Sequence, residues 1–172
     1  TMTKPVKLAL SNLGLKRLQA KQTIRDGSQG QVWIVDDDAV NCDILKHLLA
    51  DHYNILTFSD PMHALEKAKQ TKPDVVVTDQ RMPTMLGTDF LARLREIHED
   101  TIRLIVTGYT DVDDLVACIN EGLIFRYIVK PWDANKMQLA LSDSFQELYR
   151  RRMEQLSDSM HQQKIRSMNL ML

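Results

Sequence analysis

Residues 75–87, VVVTDQRMPTMLG, carry an aspartate at the end of a run of apolar, mostly β-branched residues. Three valines followed by Thr78 are typical of a buried strand, and the proline and glycine that come after them mark a loop. Asp79 therefore stands where a strand ends, four residues before Pro83. The position raises the question of what a carboxylate does at the end of an apolar strand.

Apolar runs of strand length alternate with amphipathic stretches of helix length on both sides of this segment. The predicted helices cover about residues 39–51, 60–71, 86–98 and 111–122, and another helix follows Pro131. Strands that are apolar throughout indicate a sheet covered on both faces, so five such units predict an α/β fold with a doubly wound, five-stranded parallel sheet. The predicted strands are VWIV (32–35), YNILTF (53–58), DVVVTD (74–79), IRLIVTG (102–108) and FRYIVK (125–130).

The chain divides into three zones. Residues 1–30 are basic and predict an arm or linker, residues 31–142 form the α/β domain, and residues 143–172 predict a C-terminal helical extension. Four apolar residues of the extension follow the spacing of a coiled-coil seam: Tyr149, Met153, Leu156 and Met160. A last helix with a fraying tail and a dimeric coiled coil or signalling helix are both compatible with this short seam.

Composition limits the classes of partner. The 172 residues include 22 basic and 23 acidic residues, for a formal net charge of -1, so a generally basic surface for nucleic acid is not expected. The run Arg150, Arg151 and Arg152 is more typical of a salt-bridged helix face. No apolar run has the length of a membrane span and no signal peptide is recognised, so a cytoplasmic protein without a membrane partner is expected. Cys42 and Cys118 match no metal spacing and are predicted to be buried.

Polar residues gather at the carboxyl ends of the predicted strands. The first strand is followed by Asp36, Asp37 and Asp38, and the later ones end in Asp79, Thr107 and Lys130. Each residue type also has an ordinary structural role, since an Asp after a strand often caps a helix and a Thr often forms a turn. Ligands of a doubly wound sheet bind beyond these strand ends, so the joint arrangement predicts a functional site.

The chemistry of such a site is restricted. Clustered carboxylates repel one another unless a cation joins them, and a hard cation with oxygen ligands, Mg²⁺ before Ca²⁺, is the simplest partner. An aspartate beside the metal can act as a nucleophile on phosphorus. The Lys130 ammonium and the Thr107 hydroxyl would then stabilise the charge on the transferred phosphoryl group. These residues favour Asp79 as a phosphate acceptor.

The chain resembles the receiver domain of two-component response regulators, which has the flavodoxin-like (βα)5 fold. The resemblance is carried by IVDDD (34–38), VVVTDQRMP (75–83), IVTG (105–108) and YIVKPW (127–132). It implies that Asp36 and Asp37 form an acidic pair, with Asp37 and Asp79 as direct Mg²⁺ ligands and Asp36 acting through water. The main-chain carbonyl of Arg81 is the further ligand that it implies.

The resemblance also implies a switch. Thr107 would turn to hold a phosphoryl oxygen, Lys130 would pair with the phosphoryl group, and Tyr127 would move from an exposed to a buried position. Arg81 and Tyr109 stand two residues beyond the acceptor Asp and the Thr, where receivers tune the hydrolysis of the phosphoryl group. The bond between Lys130 and Pro131 is cis in this family, and the face formed by helix four, strand five and helix five is the expected output surface.

The partners implied are a sensor histidine kinase or phosphotransfer protein as the phosphoryl donor, an output domain outside this chain, and a second copy bound through helix five and its extension. The protein would not be an enzyme in the usual sense, since it would carry out only its own phosphotransfer and slow autodephosphorylation. Two alternatives are weighed against it. One is a Mg²⁺-dependent phosphatase of the haloacid dehalogenase type, although Arg81 stands where that family has a second Asp. The other is a phosphate-independent binding domain.

Overall fold

The structure is a computed structural model that describes residues 30–170. The arm predicted for residues 1–30 therefore lies, except for Gly30, outside the described residues. The described helices are α1 (Ala39–Leu49), α2 (Pro61–Ala68), α3 (Gly87–Ile97), α4 (Val112–Asn120) and α5 (Ala134–Asn169). The strands are β1 (Gln31–Val35), β2 (Asn54–Phe58), β3 (Val75–Asp79), β4 (Ile102–Thr107) and β5 (Arg126–Val129).

The five strands form one parallel sheet in the order β2-β1-β3-β4-β5. The chain starts in the middle, moves to one edge, returns past its starting strand and continues to the other edge. The resulting doubly wound sheet and the extended C-terminal helix confirm the predicted fold class.

The sheet separates two hydrophobic clusters, because successive side chains of a strand point to opposite faces. Val32 and Ile34 of β1 belong to the cluster that α1 and α5 complete, where Tyr53 also stacks on Phe145 at a centroid distance of 5.0 Å. Trp33 of β1 belongs to the opposite cluster, which α2, α3 and α4 complete. β3 and β4 are buried along their whole length, as predicted, but the edge strand β2 is partly exposed.

Several helix boundaries differ from the sequence prediction by one to three residues. Helix α2 ends at Ala68 instead of about residue 71, in keeping with the Lys72–Pro73 step that follows, since the residue before a proline disfavours helical geometry. The segment predicted as a helix from residue 111 begins with a short 3-10 turn, Tyr109–Asp111, and α4 starts at Val112. That turn lies directly beyond the carboxyl end of β4.

Asp133 caps helix α5, since its carboxylate accepts a hydrogen bond of 2.8 Å from the main-chain nitrogen of Lys136. The helix runs without interruption to Asn169, and from residue 161 to the end of the described chain every side chain is exposed. Arg152 fastens it to the amino edge of the sheet through a 2.7 Å ion pair with Asp74.

The other two arginines of the run are also paired. Arg150 contacts Glu147 and Glu154, and Arg151 contacts Glu147. The arginine run is thus the salt-bridged helix face that the sequence favoured. Within residues 30–170, no helix combines the length and the apolar character needed to cross a bilayer.

Candidate functional site

Three carboxylates meet beyond the carboxyl ends of two neighbouring strands. Asp79 is the last residue of β3, and Asp36 and Asp37 directly follow β1, which pairs with β3. Asp36 and Asp79 are 7% and 8% exposed, whereas Asp37 is open to solvent. One oxygen from each of the three carboxylates lies within 4.8 Å of the others. The parallel topology therefore brings together acidic residues that are far apart in the sequence.

Asp36 is held in place by its local sequence. Its Oδ1 accepts a 2.9 Å hydrogen bond from the main-chain nitrogen of Asp38, and its Oδ2 accepts one of 3.2 Å from the Asn41 side chain. Burial raises the pKa of Asp36, and the negative charge of Asp79 adds to that effect. Asp38 has a separate task, since its carboxylate caps α1 by accepting from the nitrogen of Val40.

Lys130 brings a positive charge to the same site. Its Nζ lies 2.8 Å from Oδ1 of Asp79. Burial alone would lower the pKa of Lys130, but the hydrogen bond to Asp79 and the charges of Asp36 and Asp37 raise it overall. The ammonium is therefore held in its charged form. The Lys130–Pro131 peptide bond is cis, and the Lys130 nitrogen donates a 2.7 Å hydrogen bond to the carbonyl of Thr107.

The donor set suits a hard divalent cation. Carboxylate oxygens are the ligands that Mg²⁺ and Ca²⁺ prefer, and three carboxylates against one ammonium leave a surplus of negative charge that such an ion would neutralise. The raised pKa of Asp36 reflects the same surplus together with its burial. The site is thus chemically matched to a divalent cation.

The loop after β3 is closed by contacts to its first residues. The nitrogen of Gly87 donates a 2.8 Å hydrogen bond to the carbonyl of Gln80, and the Gln80 side-chain oxygen accepts one of 3.0 Å from the nitrogen of Thr88. Gln80 thereby caps α3, whose preceding residue Leu86 makes no side-chain cap. Gly87 allows this closure because a Cβ there would overlap the main-chain carbonyl of Asp79.

The predicted switch residues lie on β4, which pairs with the strand of Asp79, and on β5, which pairs with β4. Thr107 ends β4, is 1% exposed, and donates a 3.2 Å hydrogen bond to the carbonyl of Gly108. Tyr127 lies on β5, partly buried against the cluster that α2, α3 and α4 complete. The pairing of β4 with β5 places Tyr127 opposite Ile105. Thr107 is two residues after Ile105 on β4, so Thr107 and Tyr127 are both on the side of the sheet that borders α4.

Arg81 and Tyr109, the two predicted tuning residues, differ in their surroundings. The Tyr109 side chain is 79% exposed. Arg81 reaches from the loop after β3 to Asp111, with Nε 2.9 Å from Oδ2 and Nη2 2.5 Å from Oδ1. Hydrogen bonding to Arg81 lowers the pKa of Asp111.

Sequence reasoning missed Asn41, Gln80 and Asp111. Asn41 and Gln80 stand within five residues of an acidic site residue, and that proximity is the only sequence cue. Asp111 was the first residue of the helix predicted for residues 111–122, and its carboxylate makes no cap bond in the structure. Nothing in the sequence links it to a residue 30 positions earlier.

Comparison with known proteins identifies the family. Residues 32–142 match the response regulator receiver domain. The chain belongs to that family. The predicted receiver domain is thereby confirmed, and the family is one of signalling domains, not of catalytic enzymes.

Named relatives of this receiver domain are regulatory proteins. It is 36% identical over 104 residues to the hydrogenase transcriptional regulatory protein HoxA of Cupriavidus necator, covering 60% of this chain and 22% of HoxA. It is 33% identical over 109 residues to the DNA-binding transcriptional regulator NtrC of Escherichia coli, covering 63% of this chain and 23% of NtrC. The chain thus spans less than a quarter of the length of both curated relatives.

A solved structure is also similar. The signal receiver domain of an HD domain-containing protein from Pseudomonas fluorescens Pf-5 is 30% identical, with a TM-score of 0.67. The match covers 73% of this chain and 93% of that structure. The receiver fold described above is therefore shared with an experimentally determined receiver domain.

Proposed function

We propose that this receiver domain accepts a phosphoryl group on Asp79. The observation that carries the proposal is the arrangement of three carboxylates within 4.8 Å of one another, with the Lys130 ammonium 2.8 Å from Asp79. An Asp79 oxygen would attack the phosphorus of a phosphohistidine, forming the P–O bond as the P–N bond breaks. The electron pair of that bond stays with the departing imidazole.

Mg²⁺ is the proposed cofactor. The residues that would hold it are Asp37 and Asp79 directly, Asp36 through water, and Arg81 through its main-chain carbonyl. Bound there, Mg²⁺ would neutralise charge on the phosphoryl oxygens. Lys130 would pair with the phosphoryl group after its transfer, because the ammonium already lies against the acceptor oxygen.

Thr107 and Tyr127 would form the switch. The Thr107 hydroxyl would exchange its contact with the Gly108 carbonyl for a phosphoryl oxygen, and Tyr127 would become more deeply buried beside it. The hydrogen bond from the main-chain nitrogen of Lys130 to the carbonyl of Thr107 supports such coupling. Lys130 forms the ion pair with Asp79, and Thr107 is the residue that would move. The face formed by α4, β5 and α5 would carry the signal.

The proposed partners follow from the same chemistry. A sensor histidine kinase or a phosphotransfer protein would supply the phosphoryl group, and an output domain outside this chain would respond to it. In this organisation, residues 1–30 are an arm or linker, residues 31–142 are the receiver, and residues 143–172 are a helical extension. The names of HoxA and NtrC make transcriptional control one candidate output.

The helical extension would bind a second copy of the chain. Tyr149, Met153, Leu156 and Met160 are each partly exposed, and they lie on one side of α5 with the a/d spacing of a coiled coil. An isolated helix gains little stability from its own hydrogen bonds in water, so the part of α5 beyond the domain needs a partner for its apolar stripe. A parallel pair of α5 helices would provide it.

The phosphatase alternative has little support. Membership of the receiver family speaks against it, and the residue two beyond Asp79 is an arginine that already pairs with Asp111. A haloacid dehalogenase-type enzyme would use an aspartate there as the general acid for turnover. A phosphate-independent binding domain remains the competing hypothesis, and the experiment below separates it from a phosphoacceptor.

The experiment is incubation of the chain with Mg²⁺ and acetyl phosphate, followed by intact mass measurement and gel filtration. We expect one added phosphoryl group, its loss in Asp79→Asn, and its retention in the matched control Asp38→Asn, which removes a neighbouring carboxylate charge but keeps an oxygen that can cap α1. Sustained phosphate release would favour the phosphatase. No added mass in the wild type would favour the phosphate-independent binding domain. A shift to a dimer on phosphorylation would support pairing through α5.

A further inference from the structure

The ion pair between Arg81 and Asp111 connects the two loops that flank the phosphoacceptor. Arg81 lies two residues beyond Asp79, in the loop after β3, and Asp111 ends the 3-10 turn after β4. The guanidinium donates to both carboxylate oxygens, at 2.9 and 2.5 Å. A bidentate contact of this kind fixes orientation as well as distance, so it joins the acceptor loop to the start of α4.

The two members of the pair differ strongly in burial. The Asp111 side chain is 11% exposed, whereas the Arg81 side chain is 72% exposed. The guanidinium can therefore leave without a large loss of packing, because most of it already faces water. The carboxylate is largely covered and both of its oxygens accept from Arg81, so without the guanidinium it would need water or another donor. Asp111 depends on Arg81 more than Arg81 depends on Asp111.

The 3-10 turn has few other attachments. Tyr109, its first residue, is 79% exposed, and the Asp111 side chain makes no cap bond at the start of α4. The contact with Arg81 is thus a principal link between this turn and the acceptor loop. Loss of that link would free Asp111 to move toward water and carry the first residues of α4 with it.

A phosphoryl group on Asp79 would compete for the same guanidinium. It brings about two negative charges and three strong acceptor oxygens to a position two residues from Arg81. Arginine binds phosphate groups in the same bidentate way as it binds carboxylates. The Arg81 guanidinium therefore has two possible partners, the phosphoryl group on Asp79 and the Asp111 carboxylate.

We propose that Arg81 and Asp111 form a partner-exchange latch, in which phosphorylation of Asp79 draws the Arg81 guanidinium to the phosphoryl group and releases Asp111 and the start of α4. The latch rests on the proposed function of Asp79. It is distinct from the Thr107 and Tyr127 switch, because it acts through an ion pair on the exposed side of the loop. In the unphosphorylated protein it holds α4 in its resting position.

The test is hydrogen exchange at the main-chain amides of residues 109–120, measured with and without acetyl phosphate and Mg²⁺, with intact mass recorded for each sample. In the wild type we expect phosphorylation to accelerate exchange in this segment by about tenfold, the effect of losing one charged hydrogen bond. Asp111→Asn and Arg81→Gln should show the faster exchange before phosphorylation and little further change after it. The double variant should resemble either single variant.

Asp113→Asn is the matched control, since Asp113 is an exposed carboxylate two residues further along and makes no ion pair among the described residues. It should exchange as the wild type does. Hydrogen exchange in β1 reports global stability. A variant that is merely less stable would exchange faster in β1 as well as in residues 109–120, so comparing the two segments separates the effects. Slow exchange of residues 109–120 in Asp111→Asn would overturn the latch, and so would an unchanged rate in phosphorylated wild type. If intact mass shows no phosphoryl group on the wild type, the proposed function fails and the latch fails with it.

Discussion

The Cα atom of Gly87 lies so close to Asp79 that a Cβ on it would overlap the main-chain carbonyl of the aspartate. The loop that leaves β3 returns to its own starting point at this contact, and the hydrogen bond from Gly87 to Gln80 secures it. The position of the acceptor carboxylate therefore depends on a residue eight positions later. Backbone atoms, unlike the end of a flexible side chain, cannot move aside without shifting the site.

Substitution Gly87→Ala should impair phosphorylation of Asp79 more than it impairs folding. Relief of the overlap must displace the loop, and the carboxylates would lose the mutual arrangement that suits a cation. We expect Mg²⁺ affinity to fall by about tenfold or more, the range typical of displaced metal-site geometry, measured by titration of intrinsic fluorescence. Gly108→Ala is the matched control, because a Cβ there meets nothing within 4 Å. Equal Mg²⁺ affinity in the two variants would contradict the prediction.

The bulky side chains at Arg81 and Tyr109 should prolong the phosphorylated state by obstructing the approach of water to the phosphoryl group. Replacing both, as in Arg81→Asn with Tyr109→Glu, should speed loss of the phosphoryl group by about tenfold, which corresponds to about 1.4 kcal/mol in the barrier. The measurement is the decay of the phosphorylated mass after acetyl phosphate is removed. Leu86→Asp, on the exposed surface of the same loop, should decay as the wild type does. Identical rates in all three proteins would refute the effect.

Removal of Arg103 should destabilise the fold by about 2–4 kcal/mol, because it leaves buried carbonyls without donors. Its side chain lies buried at the amino end of β4 and donates to the carbonyls of Leu123 at 2.6 Å, Glu99 at 2.8 Å, Thr101 at 2.9 Å and Gly122 at 3.2 Å. Urea unfolding of Arg103→Leu measures the loss. Arg93→Leu, an exposed arginine on α3, should change stability by less than about 0.5 kcal/mol.

The Glu147 cluster on α5 should give a stability contribution that depends on pH. Hydrogen bonding to Arg150, with further help from Arg151, lowers the pKa of Glu147 to about 2 in the folded protein from its ordinary 4.5. A carboxyl group whose folded pKa is depressed stabilises the fold above its unfolded pKa, and the contribution fades as the pH falls from about 4.5 toward 2. Glu147→Gln should therefore be less stable than wild type by about 1 kcal/mol at pH 7 and approach it at pH 3.

Thermal unfolding followed by circular dichroism at a series of pH values checks this expectation. Asp158→Asn, further along the same helix and without an ion pair among the described residues, should show no such convergence. A difference between wild type and Glu147→Gln that stays constant down to pH 3 would show that the ion pairs are not its cause.

The sequence alone was sufficient to predict that the acidic residues lie close together, because the order and direction of the strands determine their positions. Once alternating strands and helices indicate a parallel sheet, residues at the carboxyl ends of the strands must lie along one edge of the sheet, and Asp36, Asp79 and Lys130 do so. The local periodicity of apolar residues was also sufficient to place each strand within a residue or two. These are the features in which short-range pattern and global fold agree.

Contacts between loops were beyond sequence reasoning. The pairing of Arg81 with Asp111 depends on where two side chains point after the sheet has formed, and neither residue has a distinctive local pattern. Arg103 is a similar case. A charged residue inside the apolar run IRLIVTG was visible, but its partners are carbonyl groups from two other loops, which no spacing encodes. Tertiary hydrogen bonds to main-chain atoms leave no trace in residue type.

Helix α5 is a single continuous element from the hydrophobic core at Met137 to Asn169. At 1.5 Å per residue its 36 residues measure about 54 Å, and a rotation of the helix about its axis where it packs on the sheet would turn its far end as well. A signal carried by α5, as proposed above, would therefore depend on the direction in which the far end of the helix faces. Each residue inserted into or deleted from its exposed portion turns everything beyond by about 100°, whereas a change of seven residues nearly restores the original direction.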